Sequence, residues 1–564
     1  LIERQLKGRT HDRIASPLLT LCRQCATLAL PAVNAKRLPG VEHGSPPGRP
    51  ERIMPMPILA PIRIGALASL CAVALQLGLP CLAHAAGATA PEALHALQRL
   101  SFGPAPGELQ RVMAMGVDAY IDEQLHPERL TLPQTLQDKL QQLPTSRMSL
   151  AARALLQREG QGATGQADEP TGAKRLALDA ASARVWRATQ SPRQLEEVMV
   201  DFWFNHFNVF EGKGLDKAWT GAFEDQAIRP HALGKFRDLL GATAHHPAML
   251  FYLDNWLSAA PGVDARNRKG KASGLNENYA RELMELHTLG VDGGYTQADV
   301  TELARIFTGW TLHKPGARGL ETIQTFDARR HDHGDKLWLG QAVRDQGEAE
   351  GEWALDVLAR HPATAHHIAL KLARHFVSDQ PPPALVQALA LRFTQTDGDI
   401  RAVLATLFAH PAFRAAPGQK FKSPQRFVLS ALRATGADAI ALADVRPVQR
   451  AMQQLGMPLY GCLTPDGWPD TEAAWLNPEG LARRINLAVS MASGRWLALP
   501  AQPVAASGTS PGTAMPMADT APSAASLAAT LGPGLSARTW RVVQQSATPL
   551  QVGLILGSPD FMRH

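Results

Sequence analysis

Asn276-Glu-Asn-Tyr-Ala-Arg-Glu-Leu-Met-Glu-Leu-His287-Thr-Leu-Gly290 is the stretch on which the fold class turns. Wound at about 100° per residue, it sets Tyr279, Leu283 and Leu286 on one apolar arc. Asn278, Glu282 and Glu285 gather within about 60° of one another on the other side, flanked by Arg281. This is a helix with one face for a core and one polar stripe. The stripe reads either as a solvated face with Arg281–Glu285 pairing or as part of an interior polar site. His287 falls on the apolar side, about 160° from Glu285, so the two do not share a face. Gly290-Val-Asp-Gly-Gly-Tyr-Thr-Gln-Ala-Asp299 then turns tightly into a new helix, with Thr296 as N-cap and Asp299 closing a capping box. Asp292-Gly-Gly lacks the alternating oxygen ligands of a calcium loop.

The same periodicity extends over most of residues 92–490. It predicts a helical pair over 92–126, broken by Gly-Pro-Ala-Pro-Gly at 103–107. Further helices are predicted at 176–210, 231–258, 275–289, 297–310, 352–378, 384–394 and 399–409. Residues 321–340 are the best β candidate, a hairpin of Glu-Thr-Ile-Gln-Thr-Phe and Lys-Leu-Trp-Leu-Gly joined by a polar turn. Residues 159–175 read as a flexible insertion. The fold class is therefore all-α, a large multi-helical body with one small β-hairpin, spanning 86–496. Residues 497–533, rich in Ala, Pro, Ser, Gly and Thr, read as a low-complexity linker or insertion, and 534–564 as a C-terminal helix packing on the body.

The chain carries 57 basic and 51 acidic residues, a net charge of +6. Ten of the basic and four of the acidic residues lie in residues 1–85, which leaves 47 of each beyond. The basicity is therefore confined to the N-terminal part, and a nucleic-acid-binding surface on the body is disfavoured. Residues 56–85 have the layout of a signal peptide: Arg63, the apolar run Ile64–Leu79, and the small-x-small site Ala83-His84-Ala85. Residues 1–55 read as upstream sequence outside the native product. Four of the five cysteines precede residue 86, so only Cys462 remains to an exported chain, without a disulfide or a cysteine zinc site.

Asp201, Asn205 and Asn208 form a second polar stripe, at i, i+4 and i+7, beside His206 and among Phe202, Trp203 and Phe210. Polar groups among so many aromatics require partners if buried, and two such stripes facing each other would satisfy one another. His331-Asp-His-Gly-Asp-Lys336, in the turn of the predicted hairpin, offers a His-x-His that is either a metal ligand pair or a polar turn. His245-His246-Pro, His361-Pro and His366-His367 read as helix-end or surface histidines. Leu407–Phe413 and Ile555–Phe561 share a Pro followed two residues later by Phe, read as a helix stop with a packed aromatic. No nucleophile elbow, zinc-protease helix, phosphate loop or dinucleotide fingerprint is present.

Leu97-Gln-Arg-Leu-Ser-Phe-Gly-Pro104, Phe202-Trp-Phe-Asn-His-Phe-Asn-Val209 and His246-Pro-Ala-Met-Leu-Phe-Tyr-Leu-Asp-Asn255 carry a resemblance, together with residues 274–297. Ala304-Arg-Ile-Phe-Thr-Gly-Trp310, Asp466-Gly-Trp-Pro469 and the His331-Asp332 turn continue it. The chain resembles the large bacterial family of exported proteins known as domain of unknown function 1800, over about 93–490 and the last helix. The resemblance implies a periplasmic or secreted, mostly helical protein. It also implies a partnership with a co-exported alkaline-phosphatase/sulfatase-like protein. It carries over no reaction and no catalytic residue.

The residues themselves suggest one. Glu282, Glu285 and His206 are the candidate catalytic groups and the candidate ligands of a divalent metal, with Asp201, Asn205, Asn208, Asn278 and Arg281 as substrate-binding residues. The expected activity is that of a metal-dependent hydrolase acting on an envelope or extracellular polymer. The alternative is a non-catalytic scaffold that binds the co-exported partner or a polysaccharide, its stripes being structural networks.

Overall fold

The computed structural model describes residues 87–159, 172–263, 265–266, 272–313, 323–437, 444–493 and 522–564, and these form an all-α body with small antiparallel strand pairs. The signal-peptide segment, residues 1–55, and most of the two predicted insertions lie outside the described residues. The described part of the predicted linker is helical: Ala524–Leu531 is capped by Ser523 and buries Leu527. Likewise Gly172–Gln190 begins inside the stretch read as the first insertion. No described helix is long and apolar enough to cross a membrane.

Capping chemistry sets many of the boundaries. Thr296 accepts from the Asp299 amide while Asp299 reaches back to the Thr296 amide, so the predicted capping box is present. His246, His361 and His410 each accept the amide two residues on through Nδ1, and each is followed by a proline at the first helical position. Predicted single helices are thereby divided. The 352–378 stretch becomes Glu348–Arg360 and Pro362–Phe376 at His361-Pro362, and 231–258 yields Phe236–His245 and Pro247–Tyr252. Ser191-Pro-Arg193 separates Gly172–Gln190 from Gln194–His206. His410-Pro and Ser558-Pro each start a short helix, Pro411–Arg414 and Pro559–Met562, as well as ending the one before.

The two predicted hairpin arms do not pair with each other. Gln324–Phe326 pairs with Trp310–Leu312, and Lys336–Trp338 pairs with Gln341–Val343. Leu339 and Gly340, both at positive φ, form the tight turn that gives Lys336–Trp338 its nearest partner. The Leu339 amide is anchored on Asp299 Oδ1 at 2.8 Å. At the other end of the chain, residues 562–564 pair with 420–422 through backbone bonds of 2.8–3.2 Å. Pro478–Ala492 packs against Thr548–Leu556, where Gly553 admits the Val489 backbone closely.

The second half of the key stretch departs from an α-helix. Asn278–Glu282 is α-helical, but Leu283–His287 continues as a π-helical turn. Glu224–Ile228 is a second such turn. His287 is nevertheless buried and Glu285 half-buried, on separate faces as the projection places them.

Candidate functional site

Gln194–His206 runs beside Pro362–Phe376, and the loop 457–471 lies across both. Together with Ser423 and Gln425 they line a cavity of ≈ 220 Å³. Asp201, Asn205, His206 and Asn208 line it from one side, Lys371, Arg374 and His375 from another, and Asp466, Trp468 and Asp470 from the loop.

The polar stripe of residues 201–208 is met chiefly by this loop, not by the stripe of residues 276–299. Asn205 holds Trp468 as a strand neighbour would: its Nδ2 donates to the Trp468 carbonyl at 2.9 Å and its Oδ1 accepts the Trp468 amide at 2.7 Å. Asn208 Nδ2 donates to the carbonyls of Cys462 and Thr464 at 3.1 and 2.8 Å. Gly467 sits at φ +76°, where a Cβ would come within 2.1 Å of the Asn205 carbonyl oxygen. Asp201 is bound by Arg184 and by Gln425. Arg184 also reaches Glu224 at 2.5 Å and lies against the rings of both Phe204 and Tyr460. Tyr460 and Arg229 complete the Glu224 shell.

His206 is buried, and both of its ring nitrogens are engaged. Nε2 donates to the His287 carbonyl at 3.1 Å, and Nδ1 accepts from Lys371 Nζ at 2.8 Å. Burial and the neighbouring Lys371 charge keep its pKa well below the usual histidine value. His287 and His367 stand beside it and are pushed down to about 3 and about 4, in each case by burial first and the Lys371 charge second. His367 is half-buried and donates to the Leu286 carbonyl at 3.2 Å, while His366 is exposed. Burial lowers Lys371 itself to about 8, against the opposing pull of Asp466 and Asp470. Burial raises Asp470, but His375 and Lys420 outweigh it and hold this carboxyl well below its ordinary range.

The remaining predicted residues lie apart from the cleft lining. Glu282 is half-buried, its pKa raised by burial, then by Glu285 and Asp466. Glu285 meets the Tyr295 hydroxyl at 3.5 Å. Arg281 pairs with Glu277 and donates to Gln297 rather than pairing with Glu285. Asn278 donates to the Leu253 carbonyl. The three predicted metal ligands do not converge. His206 has spent its lone pair on Lys371, and among the described residues the only group of three with ligand atoms within 4.8 Å of one another lies elsewhere. His206 meets the His287 carbonyl, whereas Glu285 meets the Tyr295 hydroxyl.

Lys371, His375, Asp466, Trp468 and Asp470 were not among the predicted site residues. Asp466-Gly-Trp-Pro469 was visible as a family motif, and Lys371 with His375 as an i, i+4 pair in a helix that also carries His366, His367 and Arg374. Trp468, with Trp475 at 6.0 Å between ring centroids, brings an aromatic face to the cleft rim.

No curated protein and no solved structure matches this chain. A family model described as "Protein of unknown function (DUF1800)" matches residues 95–563, and the chain belongs to that family.

Proposed function

We propose that this chain is an exported hydrolase acting on a polar envelope or extracellular polymer in the cleft, with Lys371 as its base. The observation that carries the reading is Lys371 Nζ, in the cleft and 2.8 Å from His206 Nδ1, with a pKa of about 8. About one such amine in ten is neutral at pH 7, which suits a general base. His206, neutral and tied to the His287 carbonyl, orients the amine. Trp468 supplies a flat face on which a sugar ring stacks. The signal-like segment 56–85 supports export. The reading moves the chemistry from a metal on His206, Glu282 and Glu285 to Lys371, because His206 has no free nitrogen.

The test is release of reducing ends from purified peptidoglycan and extracellular polysaccharides by the full chain. Activity should rise with pH through about 8 and be lost in Lys371→Met. Equal activity in that variant removes Lys371 from the mechanism. A second reading, a scaffold for a polysaccharide or for a co-exported phosphatase/sulfatase-like partner, is favoured by the way Asn205 and Asn208 bind loop backbone. It predicts pull-down of that partner by wild type and Lys371→Met alike.

A further inference from the structure

We propose that His331, Asp345 and Glu350 form a binding site for a divalent first-row transition ion of the zinc class, with His333 positioning Asp345. None of these residues lines the cleft. Their ligand atoms all lie within 4.8 Å of one another. His331 Nε2 is 3.3 Å from Glu350 Oε1 and 4.0 Å from Asp345 Oδ1. Neighbouring ligands around a tetrahedral ion with bonds of about 2.0–2.2 Å stand roughly 3.3–3.6 Å apart. A small inward movement of Asp345 completes that spacing.

The hydrogen bonds around the group orient it. His331 Nδ1 lies 2.8 Å from the Thr308 carbonyl, which can only accept, so the proton of the neutral ring sits on Nδ1. The Nε2 lone pair then faces two carboxylates. Three acceptors turned toward one point require a cation or an extra proton between them. Each ligand is held from behind, as metal ligands are. The Gln346 amide donates to Glu350 Oε1 at 3.0 Å, and Lys336 Nζ lies 2.8 Å from Glu350 Oε2. The Gly347 amide donates to Asp345 Oδ1 at 3.2 Å. His333 Nδ1 meets Asp345 Oδ2 at 2.9 Å, while its Nε2 donates to the Ala328 carbonyl at 3.0 Å.

Lys336 balances the Glu350 carboxylate, and the His333 ring, donating from both nitrogens, balances that of Asp345. The His331 and Glu350 side chains are fully buried, whereas Asp345 is 41% exposed. The group is therefore reached from the Asp345 side, which leaves a fourth position for water. One imidazole and two carboxylates suit zinc or a neighbouring first-row ion better than a soft-ligand metal.

The experiment uses the full chain without an affinity tag, stripped with chelator and titrated with Zn²⁺ by calorimetry. Co²⁺ is used in parallel as an absorption probe. Wild type should bind one ion more than Asp345→Asn and His331→Gln, or bind that ion at least about tenfold more tightly. Asp345→Asn alters an exposed side chain and should leave the circular dichroism spectrum unchanged, so a folding defect is separable from a binding defect. Co²⁺ should give tetrahedral visible bands in wild type that both variants lose. No uptake by wild type, or the same uptake and affinity in Asp345→Asn, overturns the proposal and leaves a proton as the bridge between His331 and Glu350.

Discussion

Replacing Lys371 by Met should make the protein more stable at neutral pH, and the gain should vanish as the pH rises. The folded amine releases its proton near 8 instead of the ordinary 10.5. That difference corresponds to about 3 kcal/mol of penalty for holding an ammonium in the cleft. Methionine removes the penalty but strips His206 of the donor that lies 2.8 Å from its Nδ1. A lost hydrogen bond of this kind costs about 1 kcal/mol, so the net gain at pH 7 is about 2 kcal/mol.

The pH window follows from the sign of the shift. Below 8 the side chain is protonated in both folded and unfolded chains, and the penalty is full. Between about 8 and 10.5 the unfolded chain holds the proton that the folded chain has released, so wild-type stability rises relative to the variant. Above 10.5 both are neutral, the penalty is gone, and the variant should be about 1 kcal/mol the less stable. Urea unfolding of both proteins at pH 7, 8, 9 and 10 measures the difference directly. A variant less stable than wild type at pH 7, or a difference independent of pH, would refute the reasoning. It would mean that Asp466 and Asp470 hold Lys371 as a stabilised ammonium, and the case for a base in the cleft would fall with it.

Asn205→Ala removes both bonds to the Trp468 backbone and should cost about 2 kcal/mol, read as faster hydrogen exchange at the Trp468 amide. Gly467→Ala should cost at least about 2 kcal/mol, through a strained positive φ and the clash with the Asn205 carbonyl, and urea unfolding checks it. Arg184→Met removes the charge partner of Asp201, which keeps its Gln425 bond, and weakens the Glu224 shell. The expected loss is about 3 kcal/mol, at the low end for a buried pair, because Arg229 and Tyr460 still hold Glu224; a Tm series would show it.

Residue type and period alone determined the helical class, the capping box at Thr296–Asp299 and the helix-end role of His246 and His361, because each depends on neighbours within one turn. The strand segments near 324 and 336 were also visible, but their pairing was not. Two positive-φ residues at 339–340 gave the second strand a closer partner, and Trp310, which opens the strand that pairs with the first, read as the last residue of the 297–310 helix. Asn205 and His206 were recognisable as polar residues needing partners. Those partners stand 263 positions away at Trp468 and 165 away at Lys371, separations on which local periodicity is silent. The separation of Glu285 from His287 was readable from the helical projection, but the contact of His206 with the His287 carbonyl, 81 positions away, was not. Composition and spacing decided which residues required burial and partners. Only the packing of the loop 457–471 over two helices decided that a lysine, a histidine and an aromatic face meet in one cleft, because desolvation and proximity are properties of the assembled fold.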